Sequence, residues 1–234
     1  MKRHLPNAVT CLNLFSGCLA LCHIFAGELE TAAYFVGLSA LFDFFDGLLA
    51  RALHVSSPIG KDLDSLADVV SFGVVPGAFL FDLLRQAGAD LPAWLPYAGF
   101  IVTVFSALRL AKFNNDTRQS DSFIGLPTPA CTLVVASLPL ILAHDTFGLT
   151  WLILQPWLLV GLTIALSGLL VAELPLFALK FKSFRWQGNQ VRFLFLLLSV
   201  ILLLVLGAAA IPPIILLYVL LSLLTRPKAP VTQA

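Results

Sequence analysis

Long apolar stretches constrain the fold of this chain more than any other feature. Hydrophobic residues make up 59% of the 234 residues, charged residues only 12%, and the mean hydropathy is +0.95. Soluble domains are usually about 45 to 50% apolar, and a helix needs about 20 apolar residues to cross the hydrocarbon of a bilayer. We therefore expect an all-α, polytopic membrane helix bundle in which residues 1–234 form a single domain.

Polar, proline and glycine breaks between the apolar runs predict eight transmembrane helices. Two prolines near the C-terminus, Pro212 and Pro213, lack N–H donors and favour a tight hairpin between the last two helices over a single kinked helix. The predicted helices are 6–26, 31–53, 59–84, 93–113, 124–143, 150–172, 192–209 and 212–225.

The distribution of lysine and arginine predicts the orientation. If both termini are cytoplasmic, every lysine and arginine except Arg85 falls on the inner side, and the opposite loops carry acidic residues. This pattern satisfies the positive-inside rule. We expect a protein of the cytoplasmic membrane of a prokaryote. The net charge of +1 gives no reason to expect nucleic acid as a partner.

Four aspartates interrupt the apolar sequence of predicted helices two and three. Asp43 and Asp46 are three residues apart and Asp64 and Asp68 four apart, so each pair lies on one helix face. Because a short turn joins the two helices, the pairs should meet at their cytoplasmic ends. A charged side chain deep in the bilayer costs on the order of 2.5 to 3.5 kcal/mol, so we expect cations to neutralise these carboxylates.

Carboxylate oxygens without histidine or cysteine are the ligands that Mg²⁺ or Mn²⁺ prefers. Two ions would balance the charge of four aspartates, and paired ions commonly clamp a phosphate during displacement. The small residues Gly47 and Ala50 would let a ligand approach predicted helix two, and Arg51 could donate to a phosphate. A proton relay or a polar clamp between helices is the alternative interpretation.

The spacing of these residues resembles the signature of the CDP-alcohol phosphotransferase family. The resemblance implies a six-helix core, to which this chain would add two C-terminal helices. It also implies transfer of a phosphoryl-alkyl group from a CDP-linked donor to an alcohol with release of CMP, and a homodimer. The matching positions are Asp43, Asp46, Gly47, Ala50, Arg51, Gly60, Asp64 and Asp68.

The same resemblance implies roles for individual residues. The four aspartates would hold two divalent cations, with Asp46 as the bridging ligand, and Asp68 would also act as the base towards the acceptor hydroxyl. For Asn7, capping of the first helix is the alternative. The residues expected at the CDP site are Gly47, Ala50, Arg51, Gly60, Asn7 and Thr10.

Three further passages, 5–17, 106–116 and 123–130, resemble members that transfer the phosphatidyl group of CDP-diacylglycerol to L-serine. Serine requires a partner for its carboxylate, which Arg109 or Lys112 could provide. For these two residues a purely topological role is the alternative, and Asn114 and Thr128 could simply end and begin helices. The residues expected at the acceptor or the phosphate are Arg109, Lys112, Asn114 and Thr128.

Two other functions remain possible at this point. The same chemistry could use glycerol 3-phosphate or an inositol headgroup as the acceptor, although a phosphorylated acceptor would require more cations near Arg109. A divalent-cation or proton-coupled transporter would have ionisable groups spread across the bilayer and often an internal repeat. The four aspartates are confined to one side, which favours an enzyme.

Overall fold

The protein is a bundle of membrane-length helices with one short antiparallel pairing of two strands. The computed structural model describes residues 4–55, 57–88, 91–116, 122–177 and 189–225. The helices are α1 (Leu5–Phe25), α2 (Leu29–Ala52), α3 (Pro58–Val69), α4 (Val75–Gln86), α5 (Ile101–Asn115), α6 (Thr128–Ala143), α7 (Thr150–Ile153), α8 (Pro156–Val171), α9 (Gln190–Leu206) and α10 (Ile211–Thr225), and the strands are β1 (Ser122–Ile124) and β2 (Pro175–Phe177). The expected all-α membrane bundle is confirmed in this general form.

Several helices are long and apolar enough to cross a membrane. Two more apolar helices, Thr128–Ala143 and Pro156–Val171, are shorter. The chain is therefore an integral membrane protein, whereas the count of eight spans and the cytoplasmic position of both termini stay predictions. The five segments of spanning length in the described part of the chain are Leu5–Phe25, Leu29–Ala52, Pro58–Gln86, Leu95–Asn115 and Gln190–Thr225.

The last of these segments is a hairpin. Gly207 interrupts it with a φ of 57°, and a 3₁₀ turn, Gly207–Ala210, separates α9 from α10. The rings of Phe195 on α9 and Tyr218 on α10 have centroids 5.8 Å apart. In a continuous helix these residues would be about 30 Å apart, at a rise of about 1.5 Å per residue. The chain therefore reverses before Pro212, as the paired prolines predict.

The helix that carries Asp64 and Asp68 is continuous with α4 through a π turn. Ser57 caps the start of α3, because its Oγ accepts a hydrogen bond from the Gly60 amide at 3.0 Å and Pro58 occupies the first turn. The π turn, Val70–Val74, joins α3 to α4, whose side chains are largely buried. Such turns leave backbone carbonyls free for other partners and are common at functional sites.

The predicted start of helix five and the continuity of predicted helix six are wrong. The chain at 122–124 forms β1, which pairs with β2 in antiparallel register, and α6 begins only at Thr128. Gly125 has a φ of 76°, and a side chain there would meet the Leu170 carbonyl at 2.6 Å, so this turn requires glycine. The predicted helix 150–172 is interrupted because Pro156 starts a new helix after the short α7.

Candidate metal and nucleotide site

A cavity of about 580 Å³ lies between α1, α2 and α3. It is open where α2 ends and α3 begins, so its walls come from the first turns of α1 and α3 and the last turns of α2. Many residues that the sequence predicts for the metal and CDP sites line it. These are Asn7, Thr10, Asp43, Asp46, Gly47, Ala50, Arg51, Gly60 and Asp64, and the cavity adds Ser57 and Lys61.

Three of the four aspartates converge. One carboxylate oxygen from each of Asp43, Asp64 and Asp68 lies within 4.8 Å of the others. Asp46 lines the same cavity but faces α1, where Thr10 Oγ1 donates a hydrogen bond of 2.6 Å to its Oδ2. The structure thus brings three predicted ligands together, and the bridging role of Asp46 stays a prediction.

The carboxylate cluster has the chemistry of a cation site. Among the described residues, no lysine or arginine lies within 4.0 Å of Asp43, Asp64 or Asp68. Grouped carboxylates inside an apolar bundle repel one another and are poorly solvated, so a bound cation is needed to keep them ionised. The donors are all oxygen atoms, which fits Mg²⁺ or Mn²⁺.

Two glycines keep the cavity wall open. A side chain at Gly60 would meet Asn7 Oδ1 and Ser57 Oγ, each at 3.0 Å. One at Gly47 would meet Arg51 Nη1 at 3.4 Å. Glycine at these positions therefore leaves room for polar side chains of α1 and α2 to face a ligand.

A buried asparagine of α1 contacts the cluster. Asn13 on α1 is fully buried, and its Nδ2 donates to Asp68 Oδ1 at 3.3 Å. The signal in the sequence is its position on the same helix face as Asn7 and Thr10, at intervals of three. That periodicity places it at the site but does not identify its partner.

A second polar group lies beside Asp68. The hydroxyls of Ser106 on α5 and Thr132 on α6 both donate to the Phe72 carbonyl in the π turn, at 3.4 and 3.0 Å. The next helical turn from the Phe72 carbonyl, towards the end of the bundle that carries the aspartates, holds Asp68 on α3, Arg109 on α5 and Thr128 on α6. The three helices therefore bring these side chains to the same level.

Arg109 and Thr128 have polar atoms without partners. Arg109 is 7% exposed, its guanidinium lies 5.0 Å from the centroid of the Phe113 ring, and its Nε has no hydrogen bond. Thr128 is fully buried, and its hydroxyl also has no partner. Unsatisfied polar groups at this depth are costly, so these two atoms are available to a polar ligand.

The other two predicted acceptor residues lie elsewhere. Lys112 is exposed on α5 and is not part of the cavity wall. Asn114 connects α5 to α3, because its Nδ2 donates to Ser65 Oγ at 2.7 Å and its carbonyl accepts from Lys61 Nζ at 2.9 Å. Contact of either residue with an acceptor stays a prediction.

Comparison with known proteins agrees with this site. Residues 3–224 match the family described as CDP-alcohol phosphatidyltransferase. A CDP-diacylglycerol–serine O-phosphatidyltransferase of Bacillus subtilis (strain 168) is 32% identical over 161 residues, which are 65% of this chain and 87% of that protein.

Two other relatives match over shorter shares of their length. A protein of the same name from Helicobacter pylori (strain J99) is 34% identical over 132 residues, covering 56% of this chain and 54% of the relative. An archaetidylserine synthase of Methanothermobacter thermautotrophicus is 33% identical over 138 residues, covering 57% of this chain and 56% of the relative. The chain thus spans about half the length of these two relatives.

Proposed function

Because the chain belongs to the CDP-alcohol phosphatidyltransferase family, we propose that it transfers the phosphatidyl group of CDP-diacylglycerol to L-serine, giving phosphatidylserine and CMP. The observation that carries this proposal is the meeting of the Asp43, Asp64 and Asp68 carboxylates. Asp43 and Asp64 line a cavity that also presents Arg51 and Lys61. Acidic groups for cations and basic groups for phosphate oxygens are what a diphosphate donor requires.

The four aspartates Asp43, Asp46, Asp64 and Asp68 would hold two divalent cations, Mg²⁺ or Mn²⁺. Bound there, the cations would neutralise the diphosphate and stabilise the charge that develops as the phosphoanhydride bond breaks. Thr10 orients Asp46 by donating to its Oδ2.

The donor would enter the cavity from the membrane. Arg51 and Lys61 would bind its phosphate oxygens, and Asn7, Thr10, Gly47, Ala50 and Gly60 would contact the cytidine nucleotide. Phe44 also lines the cavity and is 60% exposed on the surface of α2, where acyl chains can pack. Removing acyl chains from the bilayer costs about 0.8 kcal/mol for each CH₂, so a site at the membrane edge lets the lipid stay in place.

The acceptor would bind beside Arg109 and Thr128. Arg109 would pair with the serine carboxylate, and the Thr128 hydroxyl would complete the contact, which satisfies both unpartnered atoms. Asp68 would accept the proton of the serine hydroxyl as its oxygen forms a bond to phosphorus. The bond from phosphorus to the CMP oxygen breaks, and CMP leaves with the electron pair.

The charge of Arg109 matches serine better than a phosphorylated acceptor. Among the described residues, Arg109 is the buried cation beside Asp68, and one monovalent carboxylate matches one guanidinium. The phosphate of glycerol 3-phosphate would carry about two negative charges, and an inositol headgroup has no carboxylate to pair with Arg109. We further propose that the site faces the cytoplasm from the inner membrane and that the protein forms a homodimer, both by resemblance to the family.

One experiment tests the proposal directly. The purified protein in detergent is incubated with CDP-diacylglycerol and Mn²⁺ and, in separate reactions, with L-serine, glycerol 3-phosphate or inositol, and CMP release is measured. We expect release with serine only, loss of release after chelation by EDTA, and recovery when Mg²⁺ or Mn²⁺ is returned. Release with another acceptor but not with serine contradicts the choice of acceptor, and full release without metal contradicts the cation site.

A further inference from the structure

We propose that Asn13 and Ser39 form a positioning pair that fixes the orientation of the Asp68 carboxylate. This inference rests on the proposed function only in so far as Asp68 binds a cation and receives the acceptor proton. Neither residue of the pair would touch a substrate, since Asn13 and Ser39 are both fully buried and neither lines the cavity.

The orientation of the Asn13 amide follows from its partners. An ionised carboxylate only accepts hydrogen bonds, so the amide must present its Nδ2 to Asp68 Oδ1, and the two atoms are 3.3 Å apart. Its Oδ1 then faces α2, where the Ser39 hydroxyl donates to it at 2.5 Å. Without that hydroxyl, the contact with Asp68 alone would orient the amide.

The consequence for Asp68 is geometric. Its Oδ1 is held by Asn13, so the carboxylate cannot rotate freely and its second oxygen is directed elsewhere. Asp68 belongs to the cluster with Asp43 and Asp64, whose oxygens approach within 4.8 Å. Holding one oxygen therefore fixes how the other meets the cation and the acceptor hydroxyl. Partners of this kind are as important for a metal ligand as the ligand itself.

The structure contains a matched comparison for this pair. Ser39 and Ser71 both donate to the Asn13 backbone carbonyl at 3.1 Å, and both are fully buried. Of the two, Ser39 also holds the Asn13 amide oxygen. The single proton of the Ser39 hydroxyl is shared between the Asn13 carbonyl and amide oxygens. Removing this hydroxyl therefore releases the amide, whereas removing that of Ser71 affects the backbone carbonyl alone.

The test compares Ser39→Ala with Ser71→Ala in the purified full-length protein. We expect Ser39→Ala to lower kcat by about tenfold, the usual effect of losing a residue that orients a metal ligand, with little change in KM for CDP-diacylglycerol. Ser71→Ala should stay close to wild type. Equal kcat values for the two variants, or a change confined to KM, would overturn the proposal.

A second measurement avoids turnover altogether. Mn²⁺ is titrated into each variant without substrates, and free Mn²⁺ is followed by electron paramagnetic resonance. We expect Ser39→Ala to bind Mn²⁺ more weakly than Ser71→Ala and wild type, and equal affinities would count against positioning.

A third variant, Asn13→Asp, keeps the volume but puts an oxygen opposite Asp68, and it should lower kcat at least as far as Ser39→Ala. Wild-type kcat in Asn13→Asp would overturn the proposal. Failure of the wild-type protein to release CMP with serine would instead overturn the proposed function. The Mn²⁺ affinities of the variants would still test whether Asn13 and Ser39 position Asp68.

Discussion

At the scale of single residues, charge decides how this site works. Asp43, Asp64 and Asp68 gather in an apolar bundle without a lysine or arginine at ion-pair distance among the described residues. Arg109, in contrast, is a buried cation that stacks on Phe113 and keeps a free donor. The bundle thus holds acidic groups without cations and a basic group without an anion. In the proposed function, metal ions would complete the first and the acceptor carboxylate the second.

Asp64→Asn should remove most of the activity. The amide keeps the size of the side chain but loses the charge that holds a cation, so we expect CMP release to fall by roughly a thousandfold, equivalent to about 4 kcal/mol in the activation free energy. Asp62→Asn is the matched control, because Asp62 lies on the exposed side of the same helix and outside the cavity. Comparable loss in both variants, or retained turnover in Asp64→Asn, would contradict the cation site.

Arg109→Gln should weaken serine binding. A charged hydrogen bond contributes about 1.5 to 3 kcal/mol, so we expect the serine KM to rise roughly ten- to a hundredfold with a smaller change in the KM for CDP-diacylglycerol. Arg85→Gln, an exposed cation at the other end of the bundle, is the control. An unchanged serine KM would mean that Arg109 does not bind serine and only contributes to the orientation of the protein in the membrane.

At the scale of secondary-structure elements, close helix contacts hold the aspartates in register. α1 packs against α2, α3 and the π turn, and it does so because Gly17 has no side chain. A Cβ at this position would lie 2.4 Å from Ser71 Oγ and 3.0 Å from Ser71 Cα. The backbone contact cannot yield as a flexible side chain would, so α1 can reach the π turn only through glycine.

Gly17→Ala should therefore destabilise the protein. Overpacking of this kind typically costs about 1 to 3 kcal/mol, which should appear as a lower unfolding temperature in detergent. Gly37→Ala is a suitable control, because Gly37 lies in α2 with no atom near its missing side chain. That variant should be neutral or slightly stabilised by its higher helix propensity. Equal unfolding temperatures for the two variants would show that the close approach of α1 is not essential.

At the scale of the whole molecule, the two ends of the bundle differ. The aspartate cavity, Arg51 and Lys61 lie at one end. Exposed aromatic residues mark the other end, as is usual where helices meet the membrane interface. These are Trp94, Tyr97, Trp151 and Trp157. The orientation expected from the lysine and arginine distribution stays a prediction.

Labelling in membrane vesicles would test the orientation. In a background in which Cys11, Cys18, Cys22 and Cys131 are replaced by serine or alanine, Asp62→Cys should react with an impermeant maleimide only from the cytoplasmic side. Arg85→Cys should react only from the opposite side. Reversed labelling would put the active site on the wrong side for the proposal, and serine and CMP would then have to exchange outside the cell.

The sequence determined the class of the fold and the helix faces that carry the candidate site, because both follow from local patterns. Apolar length predicts membrane helices, and spacings of three and four place Asp43 with Asp46 and Asp64 with Asp68 on single helix faces. The predicted hairpin before Pro212 is also present. The start of α6 was predicted wrongly. The residues before it form β1, which pairs with β2 far along the chain, and local patterns do not reveal such a partner.

Only the tertiary structure decided which polar groups meet. Asn13, Ser39 and Asp68 come from three helices, and no local spacing predicts that one amide would join them. The same holds for Arg109 and Thr128, which reach the level of Asp68 because Ser106 and Thr132 share the Phe72 carbonyl. Periodicity along the chain fixes the face on which a side chain lies, whereas its partner depends on how the helices pack, and packing is a property of the whole bundle.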